Sequence, residues 1–197
     1  MIDQEIRHAN SASKLQVRTA SGKRTLEGYA IVFAPAVSQD LGGFVETIDP
    51  NSVNLSKYPN VHALRGHDTN RQLASTASGT LKLTKDSRGL KFSFPLPNTS
   101  DGNDLAELYR VGKQELAGQC SFGFLCNRDD WEMKNGVVLR NVADLTLLEI
   151  SVGVVSPAYI DTSAALRRMP ATVRQKVSRD FEQERAHLLH LLKLRAE

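Results

Sequence analysis

Apolar and polar positions alternate with a period of two along much of the chain, the spacing of strands buried on one face. Leu26 to Phe33 (Leu-Glu-Gly-Tyr-Ala-Ile-Val-Phe) is rich in strand formers. Asp40-Leu-Gly-Gly43 punctuates it, and Phe44 to Ile48 resumes the alternation. Asp49-Pro50 predicts a short helix, with the aspartate as N-cap and proline at the first position. Val61 to Leu64 is a further apolar run and ends at Arg65-Gly66-His67-Asp68. Thr80 to Leu96 reads as a hairpin. Leu81 and Leu83 alternate, Lys85 to Gly89 supplies the turn, and Leu90, Phe92, Phe94 and Leu96 alternate again. Thr99-Ser-Asp-Gly102 opens a helix over Asn103 to Lys113, where Leu105, Leu108, Tyr109 and Val111 have helical spacing. Cys120 to Cys126 is a strand, a second hairpin turns at Lys134-Asn-Gly136, and Leu145 to Val155 is a long apolar strand.

Six or seven strands joined by hairpins, with two short helices, predict an α+β, mainly β fold. The expected form is a closed or strongly curled antiparallel β barrel with peripheral helices. Residues 1–25 lack apolar periodicity and read as a flexible arm, leaving 26–164 as the body. Residues 165–197 carry eight Lys or Arg against four Asp or Glu, and Val173, Val177, Phe181, Leu188 and Leu192 share a helical face. They predict a basic amphipathic C-terminal helix, docked on its own domain or on a partner helix.

Composition narrows the function classes. A length of 197 residues, 41% hydrophobic and 24% charged, fits one soluble domain. A net charge of +3 implies neither a nucleic-acid nor a membrane partner. The start, Met1-Ile2-Asp3-Gln4-Glu5, has no apolar leader core, and no run reaches membrane-spanning length. Cys120 and Cys126 match no zinc or redox spacing and read as reduced, buried thiols. No HExxH, P-loop or GxGxxG pattern occurs, so no cofactor or metal is expected. His187 and His190 stand three apart but without further ligands.

Hydrolytic chemistry has candidates. In a strand over Cys120–Cys126, Cys120, Phe122, Phe124 and Cys126 face the core, while Ser121 and Gly123 face outward, leaving room for a substrate. An ordinary strand serine would look the same. His67, in the Gly66-His67-Asp68 turn, is a candidate base, since a neutral imidazole accepts a hydroxyl proton near neutral pH. His62 is its rival but sits within an apolar strand. A base needs an orienting acid, and Asp144 and Glu149 are available. If Leu148 and Ile150 face the core, Glu149 shares the side of Leu147, Ser151 and Ser121, whereas Asp144 points with the core set. Cys120 is an alternative nucleophile that the same parity turns inward.

Gly28 to Arg167 resembles the prohead proteases of tailed phages, a family similar in fold to herpesvirus assemblins. The resemblance rests on Gly28-Tyr-Ala-Ile-Val-Phe33, Asp40-Leu-Gly-Gly-Phe44, Gly66-His-Asp68, Ser78-Gly-Thr-Leu81 and Gly89-Leu90. It continues through Leu96-Pro-Asn-Thr-Ser100, Ser121-Phe-Gly-Phe124, Leu147-Leu-Glu-Ile-Ser151 and Pro157-Ala-Tyr-Ile-Asp-Thr-Ser163. It implies a serine endopeptidase with Ser121 as nucleophile, His67 as base and Glu149 as third member, and no cofactor. The implied substrates are the scaffolding segment of the major capsid protein and the protease itself. The implied place is inside the procapsid, in the host cytoplasm. Three positions depart from the family pattern: Gly66 where Asn is common, Cys120 where Met is common, and Val152 where Pro is common. The competing class is a non-enzymatic capsid assembly or scaffolding module.

Overall fold

The alternating runs fold as ten strands in a computed structural model of the chain, which describes residues 3–8, 15–58, 60–111, 119–134, 136–154, 168–175 and 179. They form two sheets. The first is built around a long hairpin, β9 (Gln119–Lys134) and β10 (Val137–Val154). β1 (Gln4–His8) pairs with the outer edge of β9. On the far side of β10 lie β4 (Val45–Ile48), β5 (His62–Arg65) and, beyond β5, β6 (Asp68–Ser75). The second sheet runs β2 (Gln16–Ala20), β3 (Lys23–Val32), β8 (Gly89–Pro95) and β7 (Lys82–Lys85).

The first sheet is a strongly curled half-barrel and does not close, which corrects the closed form of the expectation. Two features distinguish it from a closed antiparallel barrel. Among the described residues β1 and β6 each pair with one neighbour and stand as the edges of the sheet. β4 and β5 also run parallel to β10, so the sheet is mixed rather than wholly antiparallel. Alternation along a single strand does not encode its direction relative to its neighbours.

The main core fills the space between the sheets. Leu26, Ile31, Leu90, Phe92 and Phe94 of the second sheet meet Phe122, Phe124, Leu145, Leu147 and Ile150 of the first. A smaller cluster of Leu41, Phe44, Val138 and Met169 covers the far end of the hairpin, where Trp131 lies 5.1 Å from Phe44. The hairpin expected over Thr80 to Leu96 is present as β7 and β8. The Asp49-Pro50 signal gives a 3₁₀ turn over Pro50–Ser52, with the Asp49 carboxylate accepting from the Asn51 N–H. The helix α1 (Ser100–Arg110) begins three residues before its expected start, because the Thr99 hydroxyl accepts from the Gly102 N–H and caps it. Residues 171–175 are helical, with the Arg174 N–H bonded to Pro170 O. Residues 165–167, 176–178 and 180–197 of the expected terminal helix, His187 and His190 among them, lie outside the described residues.

The segment expected as an arm supplies β1 and β2 instead. β1 is held by charge. Glu5 and Arg7 point away from solvent into a cluster with Glu46 of β4 and Arg140 of β10. Arg140, with a fully buried side chain, donates to Glu5 at 2.6 and 2.8 Å, to Glu46 at 2.7 Å and to Asp129 at 2.8 Å. Arg7 donates to Glu46 at 3.0 Å and to Glu5 at 2.7 Å. Arg168 completes the set on Asp129, so three guanidinium groups meet three carboxylates. Buried charges survive only when paired in this way.

Candidate active site

Strand register brings separate parts of the chain into two rows across the first sheet. One row runs His8, Ser121, Ser151, Leu64 and Gln72, and the next runs Ile6, Gly123, Glu149, His62 and Ser75. Neighbours within a row lie about 4.5–5.5 Å apart at Cα, and both rows share one face. The opposite face of β9 carries Cys120, Phe122, Phe124 and Cys126 into the core.

His67 reaches this face from the β5–β6 turn. Gly66 and His67 both adopt left-handed backbone, at φ +62° and +63°. Two such residues between paired strands form the tight turn that matches strand twist. Glycine takes the first position without steric cost. The departure at Gly66 is therefore compatible with the turn that carries His67. Histidine tolerates the second position better than most residues.

The ring is then fixed twice. Nδ1 lies 2.7 Å from Glu149 Oε1. The His67 backbone N–H donates to Ser151 Oγ at 3.0 Å, and that hydroxyl donates to Glu149 Oε2 at 2.6 Å. In the neutral ring, with Nδ1–H donating to the carboxylate, Nε2 carries the lone pair, the tautomer a general base needs. His67 Nε2 is buried and has no hydrogen-bond partner among the described residues.

Glu149 occupies the expected face, but by another route. A bulge between Leu147 and Glu149 shifts the register. Leu147 joins the core, while Leu148 turns outward beside Glu149. The expectation that Leu148 packs inward and Leu147 faces out is thus reversed. Gly123 makes room for the carboxylate, since a Cβ there would lie 2.6 Å from Glu149 Oε1. Asp144 sits elsewhere, paired across the hairpin with Arg128 and acting electrostatically on the Tyr58 phenol.

Ser121 projects to the same face as Glu149 and Ser151, but it is 0% exposed. The expected open outward hydroxyl is absent because β1 pairs alongside it. Ser121 Oγ–H donates to Arg7 O at 2.8 Å rather than to His67. His8, opposite Ser121, has an Nδ1 that is buried and without a hydrogen-bond partner among the described residues. Burial, and then the charge of nearby His67, pushes the His8 pKa down. The placement of β1 gives this histidine a position no sequence signal announces, because its segment lacks strand periodicity. Ser151 is legible in sequence only as a residue sharing the parity of Glu149.

Two other candidates are placed apart from this chemistry. Cys120 is in the core, and burial pushes its thiol pKa far up, which leaves it protonated at neutral pH. Burial likewise pushes Cys126 up to about 11. His62 Nε2 lies 3.0 Å from Asn60 Nδ2. Asn60 Oδ1 accepts from the Ala77 N–H at 3.0 Å, which fixes the amide so that His62 Nε2 is the acceptor. Among the described residues, no group of three or more His, Cys, Asp or Glu is placed to hold a metal.

Beside His67 and Glu149 an open pocket of about 500 Å³ lies between the two free edges of the half-barrel. Neither the curated proteins nor the solved structures offer a match to the chain. A family model described as caudovirus prohead serine protease matches residues 12–176, most of the chain, and the chain belongs to that family.

Proposed function

We propose that this member of the prohead serine protease family cleaves peptide bonds with Ser121 as nucleophile, His67 as general base and Glu149 as the acid that orients it. The family indicates a serine protease that acts on capsid components. The observation that carries the residue assignment is the Glu149–His67 pair, with Nδ1 on the carboxylate at 2.7 Å and Nε2 buried without a hydrogen-bond partner among the described residues.

The chemistry follows the general triad scheme. Ser121 Oγ leaves Arg7 O and turns to His67 Nε2, which removes its proton as the oxygen attacks a substrate carbonyl. Glu149 stabilises the imidazolium that results. The tetrahedral intermediate collapses as His67 passes the proton to the leaving amine, giving an acyl-enzyme. Water, deprotonated by His67, releases the acid and restores the hydroxyl. The substrates in this reading are the scaffolding segment of the major capsid protein and the protease itself, cut inside the procapsid in the host cell. The terminal segment beyond residue 164 serves as the contact to scaffold.

Co-incubation with the major capsid protein, followed by intact-mass measurement, tests this. Cleavage by the wild type and its loss in Ser121→Ala and in His67→Ala is the expected result. Undiminished cutting by either variant refutes the assignment. A wild type that assembles with capsid protein but never cuts it favours the scaffolding module.

A further inference from the structure

The pocket beside the reactive pair has a composition that selects what enters it. One wall is β1, through Gln4 and Ile6, and the other is β6, through Thr69 and Gln72. Among the described residues neither pairs with a further strand, so each presents an edge of backbone groups along which a ligand strand can lie. An extended peptide is the ligand that satisfies two strand edges, with its main chain along an edge and alternate side chains turned into the sheet.

Ile6, Leu64 and Leu148 give the pocket its apolar surface. Gln4, Thr69 and Gln72 are neutral. The lone pair of His62 Nε2 is taken up by the Asn60 amide. Among the described residues of the lining Glu149 is the one carboxylate, and both of its oxygens are engaged, by His67 and by Ser151. An ionised side chain entering here would lose its water and find no counter-charge.

We infer that this pocket is the specificity site for a neutral aliphatic side chain of an extended peptide, held within two residues of the bond that is cut. The proximity follows from the lining itself, since His67 and Glu149 form part of the same wall. This inference rests on the reading of Ser121 and His67 as the reacting pair.

The test uses the full chain and its Ser121→Ala variant on a library of proteome-derived peptides, with the new termini identified by mass spectrometry. Cuts that depend on Ser121 are expected to show Leu, Ile, Val or Met enriched about tenfold at one fixed position. Ile6→Glu, at the 38% exposed edge position, and Leu148→Glu place a free carboxylate in the pocket. Each is expected to move the preference at that position toward Lys and Arg. Ile6→Glu keeps the test available if Leu148→Glu does not fold. Ser121-dependent cuts with no aliphatic enrichment, or with a preference that Ile6→Glu does not move, overturn the pocket assignment and leave the nucleophile standing. The absence of any Ser121-dependent cut overturns both.

Discussion

At the scale of single residues, the site depends on two small side chains that permit larger ones to meet. Gly123 is one. Its missing Cβ is the space the Glu149 carboxylate uses to reach His67. Gly123→Ala should displace that carboxylate and slow acylation of Ser121 by about 100-fold, the cost of an ångström-scale misplacement. Stopped-flow rates with an acylating ester would measure it, and full activity would show that Glu149 need not hold its observed position. Ser151 is the other. Its one hydroxyl donates to Glu149 and accepts from the His67 backbone, so it ties these two residues together. Thr and Val differ there by only that hydroxyl. Ser151→Thr should retain most of the rate, whereas Ser151→Val should lose about 10-fold or more, as expected when a charge-assisted hydrogen bond of about 1.5–3 kcal/mol is removed. Equal rates in the two variants would reduce Ser151 to packing. The alternation of side chains along β9 is enough to separate Ser121 and Gly123 from the core residues, so that part of the site is legible in the sequence. The hydrogen bonds of Ser151 are not, because they depend on where the β5–β6 turn delivers the backbone of His67.

At the scale of elements, β1 shows what local pattern cannot reveal. Glu5 and Arg7 look like surface residues in sequence, so the segment reads as an arm. In the fold they are buried at 3% and 4% exposure, inside a charge cluster whose other members come from residues 46, 129, 140 and 168. Burial by non-local pairing leaves no periodic trace. The bulge at Leu148 is equally silent, since an extra residue in a strand has no composition of its own. The β7–β8 hairpin and α1 are legible because turn, cap and periodicity are all local to them. If β1 is clamped by this cluster, Arg7→Ala leaves Glu46 and Glu5 short of a buried counter-charge. The chain should then lose about 3–5 kcal/mol of stability. A urea titration reads this as a lower midpoint at unchanged slope. A shift within about 0.5 kcal/mol would mean the cluster relaxes around the gap.

At the scale of the whole molecule, the half-barrel and its second sheet enclose one main core, and the reactive face lies on the opposite side of the sheet from it. The resemblance read along the sequence puts His67, Ser121 and Glu149 in one site, and the register of β5, β9 and β10 sets them on one face. The open seam between β1 and β6 is not readable, because closure depends on strand partners far apart in sequence. Global stability should also report on His8. Burial and the nearby His67 hold its pKa below the ordinary 6.5, so between the two values the unfolded chain binds more protons than the folded one. Stability is therefore complete above about pH 6.5 and declines as pH falls below it. Chemical denaturation between pH 7.5 and 5 should show that decline, and His8→Gln should flatten part of it. An unchanged slope in the variant would remove His8 from the balance.

If Glu149, His67 and Ser121 act as one unit, the reaction of Ser121 with a fluorophosphonate reports on all three. Peptide mapping of the wild type should find the adduct on Ser121. The labelling rate should fall by about 10³-fold or more in His67→Ala and in Glu149→Gln, by analogy with other triads, while Asp144→Asn keeps the wild-type rate. An unmodified Ser121 in the wild type, or equal labelling in His67→Ala, would contradict the account.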